Sequence, residues 1–192
     1  MAIKCVLRGL LLCTMLAATA ACSSLPPSPR DLLDDRTGIT VSVVGAPIEF
    51  AHEPEGGSAH DFLTLVATQR DEDGKYATLL LLYRWSVFFG AAPFSSAAGS
   101  GDLLIDVDGH SIDLQPLPRL PVGLPQAKDL FVPDTKEGAM RAYATDLDTL
   151  RLIATGHELT VRLPKESPVG SYTLWHDGRP ALDQFVKHLS GP

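Results

Sequence analysis

The chain has 192 residues, 45% of them apolar, and a formal net charge of −7. That length and composition fit one domain with a real core and exclude a disordered chain. The acidic balance excludes binding to nucleic acid or to an anionic lipid surface through bulk charge.

In chain order, a short basic start (Lys4, Arg8) leads into an apolar stretch from Val6 to Ala18, and then Leu16-Ala17-Ala18-Thr19-Ala20-Ala21-Cys22-Ser23. A membrane span needs roughly 18 or more apolar residues. This run is shorter, carries Thr14 and Thr19, and is followed by Pro26, Pro27 and Pro29. An ordinary secretory signal fits the charge and the apolar core. It does not account for a cysteine at the cleavage point. Small residues before Cys22 resemble the lipobox of bacterial lipoproteins, with Thr19 where leucine or valine is usual.

The resemblance implies residues 1–21 as a lipoprotein signal peptide, cleavage before Cys22, and three acyl chains on the new N-terminus. One chain alone binds a membrane only marginally, at about 0.8 kcal/mol per buried methylene. Ser23, by the same resemblance, implies the outer membrane, with the domain facing the periplasm; display at the cell surface stays open. Cys5 and Cys13 would leave with the signal, so Cys22 would be the only cysteine of the mature chain. A disulfide within the domain, a thiol nucleophile and a cysteine metal site are then excluded. Loss of Lys4 and Arg8 takes the charge from −7 to −9.

Residues 22–37 read as the lipidated cysteine and a Pro/Ser-rich tether, extended and semi-rigid. A single β-sandwich-like domain is expected over 38–192. Ile39, Val41 and Val43 alternate with polar neighbours as in a half-buried strand. Ile48 to Phe50 is a short second strand. Phe62–Gln69 and Tyr76–Phe89 flank Asp71-Glu72-Asp73-Gly74, which predicts a long hairpin. The 90–101 stretch of small residues reads as a loop. Leu103, Ile105 and Val107 alternate before Asp108-Gly109, a second hairpin turn into Ser111–Leu114. After an irregular proline-rich connection, Leu130–Val132 and Ala139–Ala144 read as short strands.

Thr145 is placed to cap a helix whose apolar side is Leu147, Leu150 and Ile153, with Gly156 closing it. Leu159–Leu163 and Tyr172–Trp175 are the last strands. A final helix near Pro180 carries Leu182, Phe185, Val186 and Leu189 as its stripe. The sum is a mainly β fold, an antiparallel β-sandwich with two short helices in the C-terminal half; an α+β arrangement is the alternative. From Thr145 onward the layout is similar to that of uncharacterised proteobacterial lipoproteins, a likeness that carries no activity.

Four groups are candidates for chemistry. Ser100 in Gly-Ser-Gly lacks the strand-to-helix elbow of a serine hydrolase and reads as loop. Asp106-Val107-Asp108-Gly109 lacks the remaining ligands of a calcium loop and reads as a turn. His52, Glu53, Glu55, His60 and Asp61 offer imidazole and carboxylate for a divalent ion, but in no metal-motif spacing, and read as a solvated acidic loop. Arg84, Trp85, Trp175, His176 and Arg179, with Asp177, are the candidate ligand or interaction patch. Neighbouring residues on a strand face opposite ways, so these need not converge. There is no phosphate cradle, dinucleotide fingerprint or basic aromatic patch. No cofactor, metal or nucleic acid is expected. The favoured expectation is a non-catalytic envelope module docking a protein partner, its membrane contact coming from the lipid. A periplasmic carrier or sensor of a small apolar ligand and an enzyme of envelope glycans are the rivals.

Overall fold

The computed structural model describes residues 27–52, 61–87, 101–133, 139–164 and 171–191. Ten antiparallel strands and two helices make up these residues, in the order β1 (Arg30–Asp34), β2 (Ile39–Val43), β3 (Ile48–His52), β4 (Asp61–Glu72), β5 (Lys75–Ser86), β6 (Leu103–Val107), β7 (His110–Leu114), β8 (Ala139–Ala144), α1 (Leu147–Thr155), β9 (Leu159–Arg162), β10 (Ser171–His176) and α2 (Arg179–Ser190). The expected class, mainly antiparallel β with two late helices, is the one observed. In place of two stacked sheets, however, all the strands belong to one sheet.

The sheet is organised by the β4–β5 hairpin, paired from Asp61↔Ser86 to Glu72↔Lys75. Its turn is Asp73-Gly74, both left-handed at φ 54° and 78°. Positive φ at both central positions is what a tight hairpin needs, and Asp-Gly supplies it. Along the other edge of β4, β2 and β3 lie nearly end to end: Val43 faces Thr68 and Ile48 faces Leu65. Val44 to Pro47 are therefore four residues set against two. Pro47 has no N–H for a ladder, and Val44 N bonds Ala67 O at 3.0 Å before pairing lapses.

This kink forks the sheet. β2 takes β1 on its free edge, while β3 takes β10, followed by β9, β6 and β7. The second arm then curls round. Just past β7, Pro116 bridges Tyr143 of β8, and Leu117 N donates to Ala142 O at 2.7 Å. Because β8 pairs with β5, this single bridge brings the free arm of the open sheet back toward the central hairpin.

Phe50, Leu63, Leu80, Ile105, Val161 and Tyr172 share the inner face of this wrap, and each is at most 2% exposed. The helices pack against each other over one end. Ile153 and Leu182 meet Val44, Ala46, Ile48, Leu65, Ala67 and Leu80 there. The opposite side of β2, β4 and β5 is buried too. Gly123 packs on Ile39, and Arg70 Nε donates to Val122 O at 3.0 Å, laying the proline-rich connection across it. Burial on both sides explains why Phe62–Thr68 and Leu79–Arg84 are buried without alternation. Each such Leu or Val contributes roughly 1.5–3 kcal/mol by leaving water.

Four local expectations change. Residues 30–34, placed in the tether, form β1 in register with β2 from Arg30↔Val43 to Asp34↔Ile39. The domain's ordered packing starts earlier still: a Cβ on Gly45 would lie 1.9 Å from the Pro27 carbonyl oxygen. The cap of α1 is Asp146, which accepts from Thr149 N at 2.7 Å; the Thr145 hydroxyl is buried and unbonded among the described residues. Gly156 does close α1, but with extended backbone (φ −64°, ψ 149°). Glycine is needed there because a Cβ would meet Val107 Cγ1 at 2.2 Å. Ala127–Leu130 is a 3₁₀ turn where a strand from Leu130 was expected.

Candidate functional site

Alternation along β5 sends Arg84 and Trp85 to opposite faces. Arg84 points inward, at the end of the wrap away from the helices, and is 6% exposed. Its guanidinium grips Asp61 with two of its nitrogens, Nε to Oδ1 at 3.3 Å and Nη2 to Oδ2 at 2.8 Å. Tyr172 OH donates to the same Oδ2 at 2.6 Å. His52, opposite Asp61 on β3, tilts against the Tyr172 ring at 5.5 Å and sets Nδ1 3.1 Å from Ser171 O. Asp61 thus accepts three charge-assisted hydrogen bonds in a nearly closed space. That is the arrangement a buried ion pair requires, since each ion gives up hydration worth several kcal/mol.

Trp85 faces out. Its ring stacks on Phe62 at 4.4 Å and 17°, and Nε1 donates to the buried Thr64 hydroxyl at 3.0 Å. Trp175, from β10, stands edge-on to Phe62 at 5.9 Å and 73°. Both geometries suit the ring quadrupole. Trp175 remains 60% exposed. The two tryptophans expected in one patch do converge, with Phe62 between them.

Arg179 and Asp177 serve elsewhere. Arg179 Nη2 and Nε hold Asp177 at 2.7 and 2.8 Å, and Nη1 donates to the carbonyls of Gly156 and of His157, the latter at 3.0 Å. Those carbonyls follow the C-terminal end of α1, where a cation is favoured. Asp108, in the β6–β7 turn, receives Glu158 N at 2.7 Å and His157 N at 3.0 Å. These backbone donors hold its carboxyl below the usual carboxylate range. The Arg179 guanidinium does the same to Asp177, and is itself raised by that pairing. The group is a clasp joining the end of α1, the start of α2 and the β6–β7 turn. His176 is exposed and pairs in register with Glu49.

The five patch residues therefore fall into four places: Arg84 inside, Trp85 and Trp175 together on an aromatic outer face, Arg179 in the clasp, His176 at a strand end. Asp106 and Asp108 make the hairpin turn expected of them, with Asp106 Oδ1 accepting Gly109 N at 3.1 Å. Cys22, Ser100, Glu53, Glu55 and His60 lie outside the described residues. Among the described residues no three His, Cys, Asp or Glu side chains are grouped to hold a metal, and no helix is long and apolar enough to cross a membrane. Phe62 and Tyr172 gave no sequence signal beyond apolar strand positions. Asp61 reads in the sequence as part of an acidic loop. No protein-family model, curated protein or solved structure matches the chain.

Proposed function

We propose that this is a lipid-anchored outer-membrane protein facing the periplasm, and that its domain is a non-catalytic module that docks an envelope protein through the Phe62–Trp85–Trp175 face. The anchor rests on the lipobox-like segment ending at Cys22. The docking reading rests on one observation: Trp175 is 60% exposed beside an aromatic stack already fixed in place. Rigid, part-buried tryptophan is the residue that most often anchors a protein interface. The carrier reading needs a hollow interior, and among the described residues the apolar space under the helices amounts to about 10 Å³. That is about the space of one water. Asp61, Arg84 and Tyr172 are bonded to one another, with Asp61 accepting from both partners.

The test is site-specific photo-cross-linking of the full-length protein in native membranes. A cross-linker in place of Thr173, exposed on β10 beside the patch, should give one discrete adduct that disappears with Trp175→Ala. The same cross-linker in place of Lys187, exposed on α2, should not give it. Identical adducts at both positions, or none at Thr173, would refute the reading.

A further inference from the structure

We infer that the domain sits directly against the bilayer, with the side formed by Pro27–Arg30, the Gly45 kink and the 3₁₀ turn at Ala127–Leu130 facing the lipid. This rests on the lipid-anchor reading of Cys22 and deepens it. A tether running to Arg36 would reach about 50 Å when fully extended, enough to stand the domain clear of the membrane. The fold removes most of that length. Pro27 already lies with its carbonyl against Gly45, and β1 is zipped to β2 from Arg30 onward. Only five residue steps separate Cys22 from Pro27, about 18 Å at full extension.

A domain of this size is on the order of 40 Å across. Held by 18 Å, it cannot turn Pro27 into its upper half; the tether would have to be longer than the domain's radius. The lipid-facing side is therefore set by where the chain first packs. Arg30 fixes what else lies there: it donates to Asp129 O at 2.8 Å and its guanidinium covers Phe131 at 5.1 Å. Lys128, exposed on the turn, is thereby brought to the same side. Arg162 is the contrasting position. It lies near the level of the far end of β3 and two strands over, on the order of 25 Å from Gly45.

The experiment uses the acylated protein in vesicles carrying an acceptor dye on the lipid headgroup. The mature chain offers no cysteine but the acylated one, so Lys128→Cys and Arg162→Cys each take a single donor dye. Energy transfer should be at least several-fold more efficient from position 128 than from 162. A long Gly/Ser insert between Pro26 and Pro27 should abolish that difference. Equal transfer without the insert, or stronger transfer from position 162, overturns the orientation. The mass of the N-terminal peptide separates the two levels: an unacylated Cys22 overturns the anchor reading and this inference together, whereas acylation with equal transfer overturns the orientation alone.

Discussion

Replacing Asp61 with asparagine removes the carboxylate that grips Arg84 with two hydrogen bonds, in a site where the arginine side chain is 7% exposed and the aspartate 16%. Breaking a buried pair by removing one member costs about 3–5 kcal/mol, and the residual solvent contact of Asp61 places the cost near the lower end, about 3 kcal/mol. Tyr172 would also lose the acceptor of its 2.6 Å bond. In a domain of this size that corresponds to a fall in Tm of roughly 6–12 °C. Urea unfolding followed by tryptophan fluorescence measures it, with an unchanged slope to show that the unfolded state is the same. The double variant Asp61→Leu with Arg84→Leu should recover most of the loss, because well-packed apolar residues often replace a buried pair at little cost. A single-variant loss below about 0.5 kcal/mol, or a double variant as unstable as the sum of the singles, would refute the account of this pair.

Three other outcomes are expected. Gly45→Ala places a methyl against the Pro27 backbone, which cannot swing aside as a side chain can; it should cost about 1–3 kcal/mol and speed proteolytic cleavage before β1. Asp146→Ala removes the α1 cap and should cost about 1 kcal/mol in urea unfolding, whereas Thr145→Ser should cost less. Asp34, Asp108, Asp146 and Asp177 all have lowered pKa values, chiefly from hydrogen bonds that Thr37, the backbone of Glu158, the backbone of Thr149 and Arg179, respectively, donate to them. A lowered native value means stability present above the unfolded carboxylate pKa of about 3.9 and lost as pH falls through the native values. Unfolding curves should therefore be flat down to near pH 5 and weaken below about pH 4; equal stability at pH 3 and pH 7 would contradict it.

What was legible in the sequence was local. Asp73-Gly74 and Asp108-Gly109 announce their turns because two consecutive positive φ values have few residue solutions. The helices follow from the spacing of Leu150 and Ile153, and of Leu182, Phe185 and Val186, all buried as expected. β1 was not legible: Arg-Asp-Leu-Leu-Asp has no alternation, and it is a strand only because β2 offers an edge. The fork at Val44–Pro47 and the return of Pro116 to Tyr143 depend on partners far along the chain. So does the polar cluster, where Tyr172 meets Asp61 across 111 positions. Arg84 and Trp85 sat together in the sequence and apart in the fold, since a strand divides its neighbours between two solvents.

The fork also decides how the molecule carries load. A pull transmitted through the N-terminus reaches Pro27 first, and behind it stands an arm attached by five register pairs at the margin of the sheet. The wrapped strands lie beyond the kink, on the other branch. Under tension the arm peels at its own small cost while the rest of the sheet stays paired, in the manner of a unit that opens below the global stability. Freeing residues 27–38 would let out about 40 Å of chain. The strand that opens the ordered chain is thus also a releasable length of rope.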